Sequence, residues 1–350
     1  VPTITKSIGT ATRDYSTITA HEADLDNGAV YSSGDDAVGE CYDDSVFDES
    51  VTINGGGTVG LASVTLTVAE GERHDGTAGT GARIVRSAAT TTVLAVQVPA
   101  TVDGLELDAG DKDTTQIVFG SGTGTHTLRR LLVHGIAANK TFIVGFRQDK
   151  PCDILNCICY GLVNSHTGTG AAYGISSDNA GTAKLLNVTV HGVTSDNGSG
   201  EAVAVRTDNG FTSVTKNVAA TATGGTSSGS LVDFNTAANN QRSHNASSDT
   251  TASGTGSLTE IVTADQYVST VVGSEDLHLK AGSVCIDAGT DLGTSPAGVN
   301  IDIDGRDRDA EGDAWDIGAD EFVDLDVPDF FAAWSDLPHR RRIVVPYGEL

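Results

Sequence analysis

The chain has 350 residues, among them 42 Gly and no Met, with aromatic residues at 5% and a formal charge of −26 from 21 Lys and Arg against 47 Asp and Glu. That charge opposes nucleic-acid phosphate and anionic membrane surfaces, so neither is an expected partner. No run reaches the roughly 18 apolar residues of a spanning helix, and VPTITKSIGT at the start lacks a charged stretch followed by an apolar one, so neither membrane insertion nor a secretory signal is expected.

The remaining composition is rich in Thr, Ser, Ala and Val, which suits strands and turns better than long amphipathic helices. A hydrophobic content of 38% is low for a thick core but enough for a thin one stacked over a long distance. The five cysteines (Cys41, Cys152, Cys157, Cys159 and Cys285) have no framework spacing. Cys157 and Cys159 fall where other repeats place valines, so they read as small buried hydrophobes rather than metal ligands.

In chain order, Thr17–Leu25 is expected to form a short helix capped by Ser16 or Thr17. With the short strand-like runs Val38–Tyr42 and Val51–Ile53 it makes a plug, residues 1–60, for the open end of a stack. From Leu61 the chain alternates strand and turn, as in Val64–Val68 and Val93–Val98. The apolar pairs Leu105/Leu107, Leu131/Val133, Cys157/Cys159, Val188/Val190 and Val218/Ala220 recur at steps of 26, 26, 31 and 30 residues. Independently, Phe142–Asp149, Ala171–Asp178, Glu201–Asp208 and Ser230–Ala237 align at steps of 29, 30 and 29. Two strands sharing one period are the signature of a solenoid. Without a Leu-rich consensus or helices, a period near 30 fits a parallel β-helix over residues 61–323, with nine or ten coils about 4.8 Å apart.

Asn156, Asn187, Asn217 and Asn245 each precede an aligned pair. Stacked asparagines can hydrogen-bond along a coil axis, so these four are candidate ladder rungs, with ordinary turn asparagines as the alternative. His134, Tyr160, His191 and Thr221 share one outward slot; His134 and His191, two coils or roughly 10 Å apart, cannot share a metal. Asp149, Asp178 and Asp208 stack at a turn, either as a catalytic or cation-binding carboxylate cluster or as solvated turn residues.

Leu277–Phe322 contains Ala281–Gly289 (AGSVCIDAG), Asp302–Arg308 (DIDGRDR) and Asp316–Glu321 (DIGADE). In order and spacing these resemble the closing segment of right-handed parallel β-helix proteins of the pectate-lyase-like superfamily, the group often termed choice-of-anchor Q domains. Ile8–Leu25 and Gly39–Phe47 are similar to the N-terminal block of β-helix proteins encoded by tailed phages and environmental bacteria. The resemblance implies an all-β, right-handed, single-stranded parallel β-helix. It says little of activity, since the group includes surface proteins, enzymes and phage proteins.

Asp302, Asp304 and Asp307 could bind Ca²⁺ through hard carboxylate oxygens, or could build tight Asp-Gly turns beside Arg306 and Arg308. Residues 324–350 differ in character. Phe330, Phe331, Trp334 and Leu337 have helical spacing, and Arg340, Arg341 and Arg342 follow as a basic cluster. This tail is expected either to cap the last coil or to dock on a partner or sister chain with an acidic surface.

With few aromatics in the coils to stack sugars, the expected function is non-enzymatic: an acidic, homo-oligomeric rod on the surface of a larger assembly. A tailed-phage virion protein (capsid decoration, turret or fibre) is the leading form. A polysaccharide-binding or polysaccharide-degrading β-helix of the tailspike or lyase kind is the alternative, followed by a bacterial surface adhesin.

Overall fold

A computed structural model of the chain describes residues 1–324 other than 45, 179–180, 197, 208–210, 222, 237–239 and 312–313. The chain is a parallel β-solenoid of about eight turns. Each full turn places one strand on each of three faces. The first face runs from Thr3–Ile8 through Asp36–Cys41, Ser63–Val68, Thr101–Asp103 and His126–Arg129 to Cys152–Leu155. The second includes Arg83–Val85, Glu106–Lys112, Leu132–Ala138 and Ile158–Asn164. The third runs from Val51–Ile53 to Leu231–Thr236 by way of Thr92–Val96, Gln116–Gly120, Phe142–Gln148, Ala171–Ser177 and Ala202–Thr207. The long strands Gly181–Ser195 and Phe211–Thr221 carry the first face into the second.

Register explains the repeat. Leu107, Val133, Cys159, Val190 and Ala220 stand directly above one another on the second face, all fully buried. Gln148, Ser177, Thr207 and Thr236 do the same on the third. β-branched and small residues fill a core one rung wide, where every strand has hydrogen-bonded neighbours above and below. All five cysteines are free and buried in it. Burial pushes the Cys157 and Cys285 thiols up to about 12, so they behave as small hydrophobes.

Parallel pairing begins inside residues 1–60, the segment expected to hold the plug and first strands. Thr3–Ile8 is already a rung, paired with Asp36–Cys41. The helix Ile18–Ala23 follows it, with the Thr17 side chain accepting from Ala20 N at 3.1 Å. Ile18 and His21 are buried, and Ile18 joins Ile8, Leu25 and Tyr31 in the core. The coils end near Leu258, whose bridge to Ala246 is the last. This is why about eight turns form rather than nine or ten: the remaining residues are a strap, not coils.

The strap starts with the antiparallel hairpin Tyr267–Val271 and Ser274–Leu279 and turns back along the second face. Leu277, Leu279, Cys285, Ile303, Ile317 and Ala319 pack onto the outward side chains Leu132, Ile158, Tyr160, Ala219 and Ala246. The row expected to face solvent is therefore covered: His134, Tyr160, His191 and Thr221 are 8%, 5%, 7% and 0% exposed.

The corner between the first and second faces is one residue in the left-handed region. Gly104, Arg130, Asn156, Asn187, Asn217 and His244 occupy it in successive turns, with φ between 50° and 79°. Asn tolerates that conformation better than most residues because its short amide can bond locally. Asn187 Nδ2 donates to Asn156 Oδ1 at 3.0 Å, and Asn217 Nδ2 to Asn187 Oδ1 at 2.9 Å. The outer side of this column is held by the strap: Asn156 and Asn187 donate to the Val299 carbonyl at 3.1 and 2.8 Å, and Asn217 donates to the Thr290 carbonyl at 2.8 Å. Asn245 is not in the column. Ser243 pairs with Lys216 and Ala246 with Ala219, so His244 takes the corner and Asn245 stands beside Val218. Its side chain accepts from Val218 N and donates to the Thr215 carbonyl, each at 3.0 Å.

Asn187→Gly keeps the left-handed turn but removes one hydrogen bond each from Asn156 Oδ1, Asn217 Nδ2 and the Val299 carbonyl, which keep Arg308, Thr290 and Asn156 respectively. It is expected to lower stability by about 1–3 kcal/mol in urea denaturation. Asn187→Ala adds backbone strain and is expected to lower it further.

Candidate functional site

The uncovered long surface is the third face. Its outward positions follow from the register: Val144, Tyr173, Val203 and Val232 form one row, and Phe119, Arg147, Ser176, Arg206 and Asn235 the next. Between them lies a groove of about 560 Å³ whose walls include Phe142, Arg147, Tyr173, Asp178, Glu201 and Arg206. The Arg147 guanidinium sits 5.2 Å from the Phe119 ring centre and 5.4 Å from that of Phe142. The Arg206 guanidinium lies 4.9 Å from the centre of the Tyr173 ring, and the Tyr173 hydroxyl donates to Glu201. Planar guanidinium groups and rings thus alternate along the groove. Desolvation raises the Tyr173 phenol, and Glu201 adds to the shift, so it stays protonated as a donor.

Asp149 and Asp178 flank this surface. Arg147 Nε is 3.3 Å from Asp149 Oδ1 and 3.1 Å from Asp178 Oδ2, and Arg206 Nη1 is 2.7 Å from Asp178 Oδ1. Ser176 donates to the same Asp178 oxygen at 2.6 Å. Asp178 Oδ1 is taken up by Arg206 and Ser176 and Oδ2 is at ion-pair distance from Arg147, which suits an arginine partner better than an acid or base needing a free oxygen. Asp208 lies outside the described residues. So do Phe330, Phe331, Trp334, Leu337, Arg340, Arg341 and Arg342 of the tail.

Asp302, Asp304 and Asp307 do not converge on one cation. Asp302 is fully buried and accepts from Arg306 N at 2.7 Å and Glu321 N at 3.3 Å. Asp304 pairs with Arg306 at 3.0 Å, and Asp307 accepts from Asn300 Nδ2 at 3.1 Å. Arg308, also buried, ties the strap together: it pairs with Glu321 at 2.7 Å and donates to the carbonyls of Gly318 at 3.0 Å and Ala319 at 2.7 Å. Burial raises the Glu321 carboxyl, against the pull of Arg308. The Asp-Gly and Asp-Ile-Gly runs are turn-building here, with each carboxylate ending on a backbone N–H or a guanidinium.

Two convergent sets of metal-ligating side chains exist among the described residues: Glu106 with Asp108 and His134, and His278 with Asp304 and Asp320. In the second set His278 is a clamp. Its Nδ1 is 2.5 Å from Asp276 and its Nε2 3.0 Å from Asp304, which joins the hairpin to the 302–308 turn. Desolvation alone would lower its pKa, but Asp304, Asp320 and Asp276 outweigh burial and raise it to about 10. Burial also pushes Asp320 up to about 6.

A histidine whose pKa is raised on folding contributes stability that is complete below its unfolded value and disappears as pH rises through the folded one. The His278 clamp is therefore complete below about pH 6.5 and is lost as pH approaches 10. The unfolding free energy from urea denaturation is expected to fall by about a few kcal/mol between pH 7 and 10. His278→Gln is expected to flatten that slope; a wild-type slope in the variant would remove the clamp.

No family model matches the chain, and no curated protein matches it. Among solved structures, one described as the crystal structure of pectate lyase Pel9A is similar over 91% of this chain and 96% of that one, at 13% identity and a TM-score of 0.33. A likeness this distant carries nothing about what this chain binds or turns over.

Proposed function

We propose that the protein is a non-catalytic, polysaccharide-binding β-helix that seats a glycan along its third face. The observation that carries this reading is the open groove lined by Phe142, Tyr173, Arg147 and Arg206, with Phe119 on the far side of Arg147. Apolar ring edges next to donors in fixed directions suit the mixed faces of a pyranose. The scarcity of aromatics in the coils matters less than their placement, since three of them share one surface. The expected ligand is neutral: Arg147 and Arg206 are already balanced by Asp149 and Asp178, and the chain as a whole carries −26. The occupied oxygens of Asp178 favour binding over hydrolysis.

A second reading, a rod within a virion or cell-surface assembly, is favoured by the exposed valines of the hairpin. Val268, Val271 and Val272 are 56%, 66% and 91% exposed, beside Val262 and Val284. Apolar side chains gathered in one region suit a protein contact. The tail beyond Asp324, with its apolar and basic residues, would be the second contact of such a rod. Light scattering after truncation before Asp324 checks this: loss of an oligomer with folding intact supports it, and a monomer before truncation removes it.

For the glycan reading, a glycan array followed by calorimetric titration is expected to show binding to a neutral polysaccharide. Tyr173→Ala and Arg206→Ala are expected to weaken it at least tenfold, about 1.4 kcal/mol, and reducing-sugar and unsaturated-uronide assays are expected to stay flat. Absence of binding across the array, or turnover that Asp178→Asn abolishes, would overturn this function.

A further inference from the structure

The first convergent set, Glu106 with Asp108 and His134, lies elsewhere, at a cleft of about 500 Å³ between the second face and the hairpin tip. Asp108, His134 and Tyr160 occupy one outward row in three consecutive turns, and Glu106 stands two residues before Asp108 on the same strand. Glu106 is 2% exposed. Its two oxygens accept from Gly79 N at 3.1 and 2.9 Å, and Oε1 faces His134 Nε2 at 3.0 Å. A carboxylate so held accepts a hydrogen bond from Nε2–H, the tautomer that leaves the lone pair of the imidazole on Nδ1. Nδ1 lies 3.7 Å from Asp108 Oδ1. That is too long for a hydrogen bond, but it suits two ligands that each stand about 2.1 Å from one ion.

We propose that this cleft binds a divalent transition-metal cation of the Zn²⁺ class, with His134 Nδ1 and Asp108 as ligands and Glu106 as the residue that orients the imidazole. Independent support comes from Tyr160. Its ring stacks on His134, with centres 4.8 Å apart and planes 9° apart, and the residue is 5% exposed. Its hydroxyl lines the same cleft and receives no hydrogen bond from a described residue. That hydroxyl is open to the cleft, within reach of water or a ligand held by an ion there. Glu275 and Asp111 line the remaining wall and supply negative charge.

The two convergent sets differ in the way that matters. His278 has a carboxylate within hydrogen-bond reach of each ring nitrogen, so that set is closed as an ion pair. His134 has one such partner, and its other nitrogen faces the cleft. Imidazole with carboxylate favours Zn²⁺, Co²⁺ or Ni²⁺ over Ca²⁺ or Mg²⁺, which prefer oxygen alone.

The test uses the full chain, treated with EDTA and dialysed, then titrated calorimetrically with ZnCl₂, with CoCl₂ and with CaCl₂. One equivalent of Zn²⁺ is expected to bind, Co²⁺ to give visible d–d absorption, and Ca²⁺ to bind at least tenfold more weakly. Asp108→Asn, which preserves shape, and His134→Gln are each expected to weaken Zn²⁺ at least tenfold with unchanged circular dichroism. No heat with Zn²⁺, preference for Ca²⁺, or wild-type Zn²⁺ affinity in folded Asp108→Asn would overturn the site. If His134→Gln does not fold, Asp108→Asn and the Co²⁺ spectrum decide it.

Discussion

From Gly104 to His244 each turn of this solenoid bends from its first face to its second through one left-handed residue, and much else follows from that. A corner at φ near 50° turns its side chain along the flank of the stack. Where that side chain is Asn, the amide serves three directions at once: the turn above, the turn below and a segment lying outside. The strap depends on this. Val299 and Thr290 lie where asparagine amides are available, and Arg308 Nε reaches Asn156 Oδ1 at 3.3 Å. The position of the strap in turn decides which outward rows are covered and which are free.

The two flanks end with different chemistry although they share one repeat. On the second face, outward side chains lie beneath the strap, so His134, Tyr160 and His191 meet carboxylates, rings and low dielectric. Desolvation lowers the His191 imidazole to about 4, which keeps it neutral at physiological pH. Among the described residues no strap reaches the third face. Arginines there stay partly in water and pair along the stack, Arg147 with Asp178 and Asp178 with Arg206, from one turn to the next. Such half-exposed pairs add little stability, so their ordered spacing is better understood as a surface pattern than as a fastening.

The solenoid was legible because burial enforces periodicity. Inward positions such as Val133, Cys159 and Val190 must be small and apolar in every turn, and that constraint is written one turn after another. Asn156, Asn187 and Asn217 were visible for the same reason, as a repeated backbone need. Asn245 misled because the turn from Asn217 to His244 is one residue shorter than the asparagine spacing implies. The flanks were harder. Arg147, Ser176 and Arg206 sit at equal offsets in Phe142–Asp149, Ala171–Asp178 and Glu201–Asp208, so the third-face pattern was available, but only the aspartates at the ends of those runs drew attention. Asp108 stood one turn below His134 in the aligned row and could have been paired with it. Nothing in the repeat says that residues 263–324 turn back over the second face. That contact joins positions more than a hundred residues apart, as in Asn187 with Val299, and leaves no local signature.

The strap also changes how the rod comes apart. In a simple solenoid each repeat touches only its neighbours, so the ends fray and unfolding travels one repeat at a time. Here one segment spans several turns of the stack, from Arg129, which stands just before the Arg130 corner and donates to the Ala297 carbonyl at 3.2 Å, to the Asn217 corner at Thr290 and on to Ala246. Turns distant along the axis are held by the same covalent thread. A terminal turn cannot open without either releasing that thread or leaving its apolar side bare, which makes a one-dimensional chain of repeats behave as a single cooperative unit.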